Sequence, residues 1–213
     1  MRIDPDPPAR STYRHGDLRR ALLAAGIELA RNGGPDAVVL REATRQAGVV
    51  PNAAYRHFAG RADLLKAVRD TALSQVAGAM EAELARVKPS RSAAVFARAS
   101  LRAIGVGYLK FALAEPGLFR TAFTVTEDSE LPLGSGRGVG TGKNPFQLLG
   151  GALDLMVSAG LLPHQRRDGA EFLAWSAVHG LAMLTIEGPM RAMPRAMIDR
   201  LGDRVIDMVE KGL

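Results

Sequence analysis

A chain of 213 residues, 47% hydrophobic and 23% charged, can bury one large core or a small domain joined to a larger one, and its net charge is +6. It has no cysteine, which excludes a disulfide framework, thiolate metal sites and a cysteine nucleophile, and is compatible with a reducing cytoplasm. No apolar run reaches the roughly 18 to 20 residues of a spanning helix, and the proline-rich start MRIDPDPPARS lacks the apolar core of a signal peptide, so a soluble cytoplasmic protein is expected.

The basic excess is concentrated early. The first 70 residues hold 12 Arg and Lys against 8 Asp and Glu, or +4 of the +6, which favours a polyanionic partner for that third of the chain. Residues 1–12 read as a flexible tail. A helix then runs from near Asp17, an acid in its first turn, to about Asn32, where Gly33-Gly34-Pro35 stops it. LREATRQA places Leu40, Ala43, Thr44 and Ala47 on one face of a second helix. Gly48 ends that helix in a left-handed turn, Val49 can plug the angle, and Pro51 suits the first turn of a third. The start of this third helix is open between Pro51 and a later residue capped by Asn52. Within it Ala54, Tyr55 and Phe58 can face the neighbouring helices. Pro51, Asn52, Ala53 and Arg56 stay outside as the candidate base-reading surface of a helix-turn-helix.

These residues resemble the tetracycline-repressor (TetR) family of bacterial one-component regulators. The likeness lies in the Tyr-x-His-Phe run of Tyr55, His57 and Phe58, the basic Arg61, the pair Leu64 and Leu65, and the first helix YRHGDLRRALLAAGIELARNGG. It is specific over residues 13–70. It implies a helix-turn-helix domain at 13–65 in which Tyr55, His57 and Arg61 anchor phosphates, while Arg41 reaches a base or the backbone. Three positions depart from the family pattern. Ala43-Thr44 is a shifted small pair, Val50 stands where many relatives carry a capping serine, and Arg61 replaces the more usual lysine.

From Ala62 to about Val87 a long helix is expected as the connector from reader to sensor. Helical spacing resumes over Ala93 to Ala114, and Pro116 opens a short helix bearing Leu118, Phe119 and Phe123. Residues 126–145, rich in glycine, read as a mobile loop. Three further helices follow, Phe146 to Gly160, Ala170 to Glu187 and Arg195 to Lys211. The fold class is therefore all-α, and the resemblance implies that residues 66–213 form a helical ligand-binding and dimerisation domain. Trp175-x-x-x-His179-Gly180 and FALAEPGLFRTAF resemble a sensor subtype of the same family. Candidate pocket residues are Tyr108, Phe111, Phe119, Phe123, Met156, Trp175, His179 and Met183, aromatics and adaptable methionines suited to an apolar effector. Taken singly, each also reads as ordinary core, and His179 as a hydrogen-bonded core histidine beside its tryptophan.

GVGTGKN superficially suggests a phosphate-binding loop. The P-loop pattern fails, because Arg137 stands where glycine is required and Asn144 where the magnesium-binding hydroxyl is required. Scattered His15, His57, His164 and His179 offer no metal-ligand spacing. No cofactor and no enzyme activity are expected; His179 and Glu187, eight apart on one helix, are the only acid-base candidates. The resemblance implies a homodimeric regulator, most often a repressor, on a palindromic operator and modulated by a small, largely apolar effector. Dimer contacts are expected from small residues of the late helices: Gly150, Gly151, Ala152, Ala159, Ala174, Ala177 and Gly180. The alternative is an architectural DNA-binding protein without an effector.

Overall fold

The computed structural model describes residues 15–125 and 142–213, with side chains from residue 18 onward. Among them are nine α-helices and no strand: α1 (His15–Gly33), α2 (Leu40–Gln46), α3 (Pro51–Ala54), α4 (Arg61–Leu84), α5 (Ala93–Ala114), α6 (Pro116–Ala122), α7 (Pro145–Ser158), α8 (Ala170–Ile186) and α9 (Arg195–Gly212). Short 3₁₀ turns at Pro35–Ala37 and His164–Arg166 complete the path.

The helix-turn-helix forms as its spacing dictates. α2 buries Leu40, Ala43 and Thr44, Gly48 closes it at φ 67°, and Val49 packs partly against the core. α3 then begins at Pro51, with Val50 at the N-cap and no side-chain cap, so Asn52 does not cap it. α3 is a single turn. The amides of His57 and Phe58 both donate to the Ala54 carbonyl, at 2.8 and 3.0 Å, which tightens the helix end. Phe58 and Ala54 are thereby fully buried, while Tyr55, expected to be able to face inward, is 60% exposed. Arg19 of α1 covers the Phe58 ring, its guanidinium carbon 5.1 Å from the centroid.

α4 is common to both halves of the chain. Leu64 and Val68 lie against Gly26 of α1, and Val76, Ala77 and Met80 continue one buried cluster that reaches α5 through α8. The boundary expected at residue 65 therefore falls inside an unbroken helix and a continuous core. The expected tail and most of the expected glycine-rich loop lie outside the described residues. Asn144 and Pro145, assigned to that loop from the sequence, instead start α7. There the Gln147 amide donates to Asn144 Oδ1 at 2.8 Å and the Asn144 amide to Gln147 Oε1 at 3.0 Å, a capping box.

α6 is pressed onto α1 without side chains between them. A Cβ at Gly117 would sit 2.3 Å from the carbonyl oxygens of Ala30 and Arg31, a backbone clash that only glycine avoids. Gly117→Ala is expected to destabilise the fold by about 1–3 kcal/mol through overpacking. Gly78→Ala, on α4 where nothing lies within 4 Å, should raise stability by up to about 1 kcal/mol through helix propensity. Urea unfolding of the two variants beside the parent checks the contrast.

Candidate DNA-reading surface and sensor cavity

Arg41, Pro51, Asn52, Tyr55 and Arg56 are exposed around α2 and α3, with Ala53 and His57 half-buried among them. The turn holds this surface together, since Thr44 donates its hydroxyl to the Arg41 carbonyl at 2.6 Å and the Val49 amide donates to the Thr44 carbonyl at 3.0 Å. Arg45 is committed to Glu42, its Nε donating to both carboxylate oxygens at 3.1 and 3.0 Å, and this pairing holds the Glu42 carboxyl below its ordinary range.

Arg61 is placed differently from the expectation of a phosphate contact. Its Nε donates to the Val38 carbonyl and its Nη2 to the Pro35 carbonyl, both at 3.0 Å. The arginine fork thus ties the start of α4 to the turn before α2, where a lysine ammonium could not make the same paired contacts.

Away from this surface a cavity of about 50 Å³ opens between α4, α5, α7, α8 and α9. Tyr108, Phe123 and Trp175 border it, as do Met80, Ile104, Phe146 and Ile206, which the sequence did not single out. The other five expected pocket residues do not border it. Phe111, Phe119 and Met156 are buried core, Met183 packs at the core's edge, and His179 stands behind Tyr108. Helical spacing identifies an inward face but not which inward residues leave space between them, so this distinction was not readable in the sequence.

The polar groups beside the cavity form one chain. Trp175 Nε1 donates to the Tyr108 hydroxyl at 2.9 Å, and that hydroxyl lies 2.7 Å from His179 Nδ1. An indole can only donate, so the tyrosine oxygen accepts there, and the same hydroxyl shares a second hydrogen bond with His179 Nδ1 whose direction is set by the imidazole tautomer. The rings of Phe119, Phe123 and Trp175 surround the imidazole, their centroids 5.6, 5.1 and 5.6 Å from its own. Burial holds the Tyr108 hydroxyl well above the ordinary tyrosine range and the imidazole below the ordinary histidine value. His179 and Glu187 form no acid-base pair, because the first is hydrogen-bonded to Tyr108 and the second is ion-paired with Arg120. Among the described residues no group of three or more His, Asp or Glu could hold a metal, and no helix is long and apolar enough to cross a membrane.

Residues 101–209 match the family profile described as tetracyclin repressor-like, C-terminal domain, and residues 22–68 match that of bacterial regulatory proteins, tetR family. The fold is similar to a protein of unknown function from Rhodococcus sp. RHA1, with 25% identity, coverage of 96% of this chain and 99% of that one, and a TM-score of 0.68. It is also similar to a tetR family transcription regulator from Shewanella sp. PV-4 at 16% identity, covering 89% and 95% of the two chains with a TM-score of 0.56. A TetR transcriptional regulator from Streptomyces coelicolor is similar at 17% identity, with 91% and 92% covered and a TM-score of 0.54. No curated protein matches the sequence.

The buried relay has a pH signature. The folded state holds His179 below its ordinary value of 6.5, so the unfolded chain binds more protons as the pH falls through that value. This contribution to stability is complete above about pH 6.5 and declines as the pH drops toward the folded-state value. His179→Asn, which keeps an acceptor near the Nδ1 position but does not titrate, should flatten that part of the stability curve. Tyr108→Phe leaves the Trp175 N–H and His179 Nδ1 without their partner and is expected to cost about 1–3 kcal/mol. Thermal unfolding between about pH 5.5 and 7.5 measures both.

Proposed function

The chain belongs to the tetR family of bacterial regulatory proteins, and from that premise we propose that it is a ligand-responsive repressor that grips a near-palindromic operator as a homodimer. The exposed row Arg41, Pro51, Asn52, Tyr55 and Arg56 on a packed helix-turn-helix is the observation that carries the reading. Tyr55 and His57 anchor phosphates, while the start of α3 meets base edges. One reader of a single turn gives little specificity. Two readers about 34 Å apart engage successive major grooves.

The dimer is supported by an exposed apolar stripe. Along α8, Phe172, Leu173 and Leu184 are 42%, 65% and 44% exposed, and Leu155 of α7 is 38% exposed. Ser176, Ala177 and Gly180 lie between them at helical spacing, and nothing stands within 4 Å of a Cβ at Gly180 or Gly151, so a second copy can approach closely. Ala152 and Ala174, expected in this contact, are buried inside the subunit instead, and Ala174 borders the cavity.

The effector fits the cavity by chemistry more than by size. Its walls carry no charged group, but about 50 Å³ is well below the roughly 150 Å³ that admits benzene in an engineered cavity, so binding must displace a wall. Phe123, just past the end of α6, is the wall with consequences for DNA. α6 meets α1 at Gly117, the Arg31 Nε of α1 donates to Glu115 at 2.8 Å, and Arg120 joins α6 to Glu187 at the end of α8. Moving Phe123 therefore moves α1, alongside the path through α4. Coupling of about 1–3 kcal/mol would alter DNA affinity some 5- to 150-fold. The narrow cavity equally suits an effector-independent architectural binder, and sequence preference separates the two.

Fluorescence anisotropy against the duplex upstream of the protein's own gene and a scrambled duplex, across a salt series, tests the reading. Tight binding to the first alone, steeply weakened by salt and lost with Tyr55→Ala, is expected. Equal weak binding to both would favour the architectural protein. Leu173→Arg with Leu184→Arg should leave a folded monomer by sedimentation, with operator affinity reduced at least about 100-fold because one half-site is lost.

A further inference from the structure

Major-groove base edges ask for different side chains. Guanine takes a bidentate arginine or lysine, adenine takes a bidentate asparagine or glutamine, and thymine offers a methyl group for apolar contact. The residues at the start of α3, the part of a reading helix that meets base edges, are Val50, Pro51, Asn52 and Ala53. None is charged. The two nearest arginines tied into the fold already have partners there, Arg45 in an exposed ion pair with Glu42 and Arg61 at two backbone carbonyls.

Two of these four have chemistry that the fold does not use. Val50 is 68% exposed, although its neighbour Val49 packs partly into the core, so its isopropyl group is presented outward at the N-cap. Asn52 is exposed, and its amide makes no capping bond although it sits in the first turn, where asparagine is readily drawn into one. An apolar group and an amide therefore stand two residues apart on the turn that enters the groove.

Resting on the reading of the chain as an operator-binding dimer, we propose that each half-site is read through an A·T core, with Val50 against the C5-methyl of a thymine and the Asn52 amide bidentate on an adenine. Guanine recognition is confined to positions within reach of Arg41 and Arg56 at the margins of the surface.

The full-length dimer is used to enrich duplexes from a randomised library. In the tightest duplex each thymine is replaced in turn by deoxyuridine, which deletes only the methyl group, and each adenine by 7-deazaadenine, which deletes only the N7 acceptor. Affinities are measured for the parent, Val50→Ala and Asn52→Ala, with binding to bulk DNA and thermal unfolding confirming that the variants are folded. One deoxyuridine position per half-site should weaken the parent about 4-fold, the value of one buried methyl, and leave Val50→Ala unchanged. One deazaadenine position should weaken the parent at least about 5-fold and leave Asn52→Ala unchanged. A G·C core, or substitutions that weaken parent and variants alike, would overturn the inference while leaving the operator-binding reading intact. A library from which nothing is enriched would overturn both.

Discussion

The rest of the structure depends on α4 being one rigid helix shared by two cores. Its first turns bury Leu64, Leu65 and Val68 beneath the reader, and Ala72, Val76, Ala77 and Met80 continue the same buried line under α5 and α6. A helix that is apolar along its whole length on one side cannot be peeled from either half without exposing that surface to water. The reader consequently has no independent position.

α6 adds a second connection with a different character. Its contact with α1 runs through backbone at Gly117 and through the Arg31–Glu115 pair, so little side-chain flexibility stands between them. Close-packed elements of this kind transmit displacement because they cannot compress. At its other end are Phe119, fully buried edge-on to the Tyr108 ring at 5.2 Å, and Phe123 at the cavity. Beside the continuous core along α4, a shorter path of contacts thus joins the cavity to α1, in which one aromatic side chain is both cavity wall and helix end.

The Trp175–Tyr108–His179 chain places polar groups beside an apolar cavity. Each member satisfies the next, which is the condition for keeping polar groups beside an apolar cavity. The same satisfaction explains the cavity's chemistry. With the Tyr108 hydroxyl and the indole N–H already partnered, the walls offer a neutral, largely apolar surface to any occupant.

How much of this was legible in the chain differs from element to element. Helix positions followed from periodicity and stop signals, because the spacing of Leu40, Ala43 and Thr44, the glycine at 48 and the prolines at 51 and 116 act locally, through backbone geometry. Ala54 and Phe58 were readable as inward for the same reason. Tyr55 was not, since α3 ends after a single turn and the orientation beyond it is set by two amides sharing the Ala54 carbonyl. Arg61 could be recognised as a cation at a family position, but its partners, the carbonyls of Pro35 and Val38, are 26 and 23 residues away. The aromatic group could be listed in advance, yet which three of the eight border free space depends on how five helices pack. Local backbone preferences and hydrophobic spacing are written into short stretches of chain; the partners of a side chain and the gaps between side chains exist only once distant segments meet.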